Sequence, residues 1–180
     1  MNVLHITHWY PSKPTPYSAP WIKDHIRSIE KKVNNEVFHF EVKKGKFNCK
    51  IGKNEEGSSY FILHFPFEIW SLNEYLSFIV VLLTILRKKR KTEFDLINFH
   101  IAYPACTYLH LIKMIIPIRV VITEHWSAYH YDFKIKKPEK RKKIQRIFQQ
   151  NIPVITVSQS LADDIIRFAE ATFPYYIIPN

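Results

Sequence analysis

The sequence predicts an α/β protein, a parallel sheet with helices on both faces, and three observations carry that prediction. Short β-rich apolar runs alternate with segments of helical periodicity through most of the chain, the pattern of a parallel sheet covered by helices. Several of those runs turn polar abruptly at their carboxyl ends, as in "NVLHITHWYP", "FDLINFHIAYP" and "VVITEHWSAY". With 180 residues, 47% of them hydrophobic, the chain is long enough for one well-buried domain and too short for two of ordinary size.

The elements follow in order. A first strand is expected over Val3–Thr7, then a loop punctuated by Pro11, Pro14, Pro16 and Pro20, then a helix carrying Ile22, Ile26, Ile29 and Val33 on one face. Strands near Val37–Val42 and Tyr60–Phe65 flank Lys43–Ser59, a polar segment that holds all three glycines and reads as a loop or ragged hairpin. An apolar helix is expected around Leu72–Leu86, a strand at Leu96–Phe99 and a helix near Tyr103–Ile115 with Pro104 in its first turn, where a missing N–H costs nothing. A strand at Val120–Thr123 leads to a basic helix at Pro138–Gln150. Strand Val154–Val157 ends on Ser158, the natural N-cap of a helix running to Ala169, and Tyr176–Ile178 makes a last strand.

Charge narrows the function classes. The formal net charge is +10, yet Arg87–Lys91 and Lys134–Arg146 hold 13 of the 26 basic residues, and without them 13 basic residues face 15 acidic ones. The basicity therefore belongs to two patches, which suit an anionic membrane surface as well as plain solvation. Nucleic acid is disfavoured, because the basic runs contain almost no interleaved aromatic residues beyond Phe133 and Phe148 and no recognisable module. Cys49 and Cys106 have neither a metal-ligand nor a CxxC spacing, so the expectation is a reducing cytoplasm, no disulfide framework and no metal. The N-terminus starts directly on a strand and reads as no secretory leader. Tyr75–Leu86, the longest apolar run, has 12 residues where a bilayer span needs about 20.

In open parallel sheets, ligands bind beyond the carboxyl ends of the strands. The first polar residues there are His8, His100, Glu124 with His125, Ser158 and Asn180. His125 has an ordinary reading as a loop histidine, but Glu124, Trp126 and Tyr129 put a carboxylate, an imidazole and stacking surfaces in one turn. Glu124 reads as a partner that fixes the His125 tautomer, as an acceptor for a helix N–H, or as the partner of a basic side chain. His8, Trp9 and Tyr10 suit core plugging and a ligand wall equally. Pro104 is explained by a strand–turn–helix junction, which leaves His100 and Tyr103 open to a binding role. Ser158 reads first as a helix cap. GxGxxG and GxxxxGK[ST] are both absent and the loop Pro11–Pro20 has no glycine, which argues against a self-contained phosphate cradle.

Taken in order, "VLHITHWYPS", "APWIKDHIRSI", "FDLINFHIAYPA", "RVVITEHWSAY", "VITVSQSL" and "YYIIPN" resemble the N-terminal half of bacterial retaining glycosyltransferases of family 4. The resemblance implies a Rossmann-like domain over residues 1–180, the acceptor-side half of a GT-B fold. A donor-binding domain with a Glu-x7-Glu motif then follows Asn180, and the fragment alone transfers no sugar. It implies a nucleotide-diphosphate sugar as donor, a cell-surface glycan or lipid-linked acceptor, no further cofactor, and a place in the cytoplasm or on the inner face of its membrane. His125 stands where the family places a histidine against the transferred sugar, with Glu124 beside it as a second catalytic candidate. His8, Tyr10, His100, Tyr103, Trp126 and Ser158 fall at substrate-binding positions. Ser18 and Ala19 map onto a first loop that commonly carries glycine near the donor diphosphate; Ala19-Pro20 replaces it here, which weakens that contact. The alternative function is a Rossmann-like binding module that does no chemistry.

Overall fold

The chain begins with strand β1, Asn2–Thr7, whose alternation of Leu4 and Ile6 against His5 and Thr7 sends side chains to opposite faces of a sheet. This computed structural model describes residues 1–179 other than 14, 55, 67–69, 91–92 and 136, and the backbone alone at 70 and 71. Pro14, Lys91, Lys136 and Asn180, all used in the sequence reading, lie outside the described residues.

After β1 come helix α1 (Pro20–Ser28), strands β2 (Asn34–Lys44), β3 (Asn48–Lys53) and β4 (Ser59–Phe65), and helix α2 (Trp70–Lys89). Then follow β5 (Leu96–His100), α3 (Leu109–Ile115), β6 (Arg119–Glu124), a 3-10 helix (Ser127–Lys134), α4 (Pro138–Phe148), β7 (Val154–Thr156), α5 (Gln159–Ala169) and β8 (Tyr175–Ile177). The eight strands form one sheet in the order β3-β4-β2-β1-β5-β6-β7-β8, parallel throughout except for the edge strand β3.

Register assigns the two faces. Leu4, Ile6, Phe38, Phe40, Ile97, Phe99 and Ile122 lie on one face and pack with Val81 and Ile85 of α2, Ile112 of α3, Ile144 and Phe148 of α4, and Ile165 and Phe168 of α5. This is the main core, where each fully buried Ile or Phe contributes on the order of 1.5–3 kcal/mol. The opposite face holds His5, Thr7, Val37, His39, Asn98, His100 and Thr123. α1 covers part of it, burying Ile22 and Ile26 against Tyr10, Ala19, Val37 and Ile101. One face is apolar and the other is lined with imidazoles.

Three expectations change and one is narrowed. α1 stops at Ser28, so Ile29 and Val33 are not helical: the chain must start β2 at Asn34 to pair with Asn2. Of the two readings of Lys43–Ser59 the hairpin is the one formed, and its first arm is a regular strand, β3, that pairs antiparallel with β4 and covers its edge. α3 starts at Leu109, because 103–108 is a turn containing a cis Tyr103-Pro104 bond; Pro104 is not in a helical turn. The stretch after β6 coils into a 3-10 helix that no periodicity announced.

Candidate active site at the carboxyl edge

β1, β5, β6 and β7 are neighbours, so the loops after Thr7, His100, Glu124 and Thr156 emerge side by side. Thr7, His100 and Thr123 stand in lateral register across three of them. The parallel topology thereby turns four distant sequence positions into one edge.

Histidines converge there. His125 packs over His100 with rings nearly parallel (14°) at a centroid distance of 6.2 Å, and the His25 ring of α1 lies 4.9 Å from that of His125. Beneath them His5 Nδ1 meets His100 Nε2 at 3.0 Å, and His5 Nε2 meets Asn35 Oδ1 at 3.0 Å. His5 and His100 are almost wholly buried. Burial pulls the His5 pKa down to about 4 against the smaller opposing bond from Asn35. Burial, then the nearby rings of His5, His125 and His25, holds His100 well below the usual histidine range. Both are neutral imidazoles at pH 7. His5 and His25 were not singled out from sequence. Their signals were present: a polar residue in the middle of an apolar strand, and a histidine three residues after Ile22 on the buried side of a short helix.

Glu124 is fully buried at the end of β6, where its carboxylate collects four donors. Oε1 accepts from the Ala102 N–H at 2.6 Å and the Tyr129 hydroxyl at 2.6 Å, and Oε2 from the N–H groups of His125 at 3.2 Å and Trp126 at 3.3 Å. Burial raises its pKa and these bonds oppose the rise. The carboxylate thus clasps the turn that carries His125 and ties it to the β5 loop through Ala102. Its bonds run to the backbone of Ala102, His125 and Trp126, so of the sequence readings the geometry is that of the backbone acceptor.

Between these groups the backbone is strained. Ile101, buried and β-branched, sits at φ 67° immediately after His100, a left-handed conformation that such a residue rarely adopts. Its N–H donates to the Thr123 carbonyl at 2.9 Å, which, with the Ala102–Glu124 bond, holds the strand end in place. Strain of this kind collects at functional sites.

The other candidates divide. Trp126, next to His125 in the chain, meets Trp9 edge-on at 5.1 Å and Phe133 at 4.8 Å. Tyr10 is 3% exposed and plugs the core under α1, one of its two sequence readings. Tyr103 donates its hydroxyl to the buried Glu74 at 3.0 Å, and Lys143 pairs with the same carboxylate at 2.9 Å. Ser158 accepts from the Leu161 N–H at 3.2 Å and caps α5. Ser18 is half-buried, and Ala19 is the N-cap of α1 at φ 45°, the left-handed region, where glycine would be unstrained. His8 lies on the other side of β1, its ring 5.2 Å from that of Phe40 and close to His39 and Glu41. It belongs to a second imidazole group and not to the His125 cluster. Among the described residues no set of His, Cys, Asp and Glu is arranged to hold a metal ion.

The basic segments are partly spoken for. Lys88 pairs with Glu36, Arg141 bridges to Asp132 at 3.0 Å and stacks over Phe168, Lys140 lies over the Tyr103 ring, and Lys143 is bound to Glu74. Part of the α4 charge thus braces α2 and the 3-10 helix. Among the described residues no helix is long and apolar enough to cross a membrane.

Comparison with known proteins fits this geometry. The model for Glycosyltransferase Family 4 matches residues 49–180, which includes His100, Glu124 and His125 and leaves out β1, α1 and β2. Sucrose-phosphate synthase from Thermosynechococcus elongatus superposes with a TM-score of 0.68 at 10% identity, covering 99% of this chain and 48% of that one. UDP-GlcNAc 2-epimerase from Methanocaldococcus jannaschii gives 0.58 at 12% identity, covering 100% of this chain and 46% of that one. Arabidopsis thaliana UGT89C1, solved with UDP, gives 0.53 at 10% identity, covering 98% and 51%. The chain spans about half the length of these proteins. No curated protein matches it in sequence. Identities this low speak for the fold alone; the family model, matching well over half of the residues, goes further. The chain belongs to glycosyltransferase family 4, built as a Rossmann-like half of the GT-B architecture.

Proposed function

We propose that this chain is the acceptor-side domain of a retaining glycosyltransferase, which moves a sugar from a nucleotide-diphosphate donor to a cell-surface glycan or lipid-linked acceptor. The observation that carries the reading is His125. In a family 4 chain, an imidazole stands at the carboxyl edge on a turn clasped by a buried carboxylate and flanked by the rings of His100 and His25. A preorganised polar group of this kind orients the transferred sugar and supports the charge that develops as the bond to the diphosphate breaks. Glu124 acts as a positioning residue for that turn, and Trp126 supplies an apolar wall against the sugar ring.

On this reading the nucleotide is held by a second, donor-binding domain, so residues 1–180 alone bind nucleotide weakly and transfer nothing. The reaction needs no cofactor beyond the donor substrate and takes place in the cytoplasm or at the inner face of its membrane. Arg87, Lys89 and Arg90, at the end of α2, are the basic residues best suited to an anionic lipid surface.

The test is His125→Ala in the complete enzyme, with steady-state sugar transfer and thermal melting measured together. Loss of one preorganised contact costs about 3 kcal/mol, or roughly 100-fold in turnover. Turnover should fall by that order while the melting temperature changes little. Near-normal turnover, or loss that only tracks unfolding, removes His125 from the reaction. An absence of transfer with every nucleotide-sugar, by a protein that still binds a glycan, favours the non-catalytic module instead.

A further inference from the structure

The bonds beneath His100 fix more than its position; they fix where its protons are. The Asn35 side chain donates from Nδ2 to the Ile26 carbonyl at 3.2 Å. A carbonyl oxygen only accepts, so the amide is oriented, and Oδ1 is the atom that faces His5 Nε2 at 3.0 Å. An amide oxygen also only accepts, so His5 carries its proton on Nε2. In a neutral ring Nδ1 is then bare, and it must accept from His100 Nε2 at 3.0 Å. His100 in turn carries its proton on Nε2 and leaves Nδ1 bare. That Nδ1 is buried and has no hydrogen-bond partner among the described residues.

We propose that Asn35 and His5 are positioning residues that lock His100 in its Nε2–H tautomer, so that its Nδ1 is a fixed hydrogen-bond acceptor for a substrate hydroxyl beside His125. The identification of the ligand group as a sugar or acceptor hydroxyl rests on the function proposed above; the locked tautomer does not.

The chemistry favours a donor and excludes an acceptor. A bare, buried ring nitrogen without a partner is costly, and a hydroxyl that donates to it recovers the lost interaction. A carboxylate or phosphate oxygen placed there meets lone pair against lone pair. Protonating the ring to receive it is opposed by burial and by three neighbouring imidazoles. The His125 ring stacks on that of His100 and the His25 ring lies against His125, so the hydroxyl that donates to Nδ1 sits within this imidazole cluster. A site that hydrogen-bonds one hydroxyl discriminates strongly against the analogue that lacks it.

The relay makes an unusual prediction about a one-atom change. Asn35→Asp replaces the amide with a carboxylate, which favours doubly protonated His5. His5 Nδ1 then becomes a donor, His100 Nε2 must accept, and the His100 proton moves to Nδ1, turning the ligand-facing atom from acceptor to donor. His5→Gln preserves the order of donor and acceptor, since its amide nitrogen faces Asn35 and its oxygen accepts from His100, whereas His5→Leu releases it.

The experiment is nitrogen-15 NMR of the imidazole rings in residues 1–180 at pH 7, with thermal melting to show that each variant is folded. The expected result is an Nε2–H His100 in the unaltered chain and in His5→Gln, an Nδ1–H His100 in Asn35→Asp, and a mixture in His5→Leu. A wild-type His100 protonated on Nδ1, or a His100 still protonated on Nε2 in a folded Asn35→Asp protein whose His5 ring reads doubly protonated, overturns the relay. That arm needs no sugar transfer, so its outcome is independent of the proposed reaction. In the complete enzyme, Asn35→Asp should raise the KM of one substrate about 10-fold or lower kcat by a similar factor, and the penalty should vanish for the deoxy analogue lacking the hydroxyl. A flipped tautomer with unchanged kinetics overturns the assignment of a hydroxyl ligand.

Discussion

His39 provides a quantitative prediction of how stability depends on pH. It lies in β2, 1% exposed, and neither ring nitrogen has a hydrogen-bond partner among the described residues. Burial lowers its pKa from 6.5 to about 4, the charge of Glu41 opposing. Because the folded pKa lies below the unfolded one, the unfolded chain takes the proton first. The stability this residue contributes is therefore present above pH 6.5 and is lost as pH falls through about 4. Over the whole window the loss is about 3 kcal/mol, and between pH 7 and pH 5 alone it is about 2 kcal/mol. Its neighbours confine the effect to the imidazoles. Glu41 would be raised by its own burial, but Lys43 and His64 outweigh that and hold it below the usual carboxylate range. His8 is likewise pulled down to about 4 by burial and adds a parallel loss of its own. His39→Leu removes one titration and two unsatisfied nitrogens. Urea unfolding at pH 7 and pH 5 should show the variant at least as stable as the parent at pH 7, and losing about 2 kcal/mol less on acidification. An identical loss in both proteins would show that His39 is not held neutral by its surroundings, and the reasoning from burial would fail.

Glu124→Gln leaves one oxygen for two of the four donors and turns an amide NH2 toward the other two, a cost of about 2–4 kcal/mol after the relief of a buried charge. Chemical denaturation reads it, and a change below about 1 kcal/mol refutes the clasp. Ser158→Ala removes the cap of α5 and should cost about 1 kcal/mol, while Ser158→Asp should cost only a few tenths; equal losses in the two variants would place the hydroxyl's role elsewhere. Replacing Arg87, Lys89 and Arg90 with Gln should weaken binding to anionic vesicles by about 1 kcal/mol per residue, with binding falling as salt is added. Equal partition into neutral and anionic vesicles would remove the membrane from the proposal.

The sequence by itself determined the alternation of strands and helices, and with it the parallel sheet, because burial on both sides of β1, β5 and β6 demands short apolar runs that composition and periodicity expose directly. It also located the edge: strands that stop on His100 and Glu124 are visible as apolar runs broken by polar residues. Tertiary structure alone decided what those residues do. Glu124 and His125 are adjacent in sequence, yet one is buried under four donors and the other faces two imidazoles from elements 100 and 25 residues from the N-terminus. Local pattern marks His5, His25 and His100 as polar residues at buried positions but does not pair them, since they come together only through strand order and the packing of α1. β3 and the 3-10 helix were hidden for a related reason: an exposed edge strand and a turn held by a buried carboxylate both lack the apolar period on which sequence reading depends. Their stability comes from pairing with β4 and from Tyr129 bound to Glu124, contacts that exist only once the chain has folded.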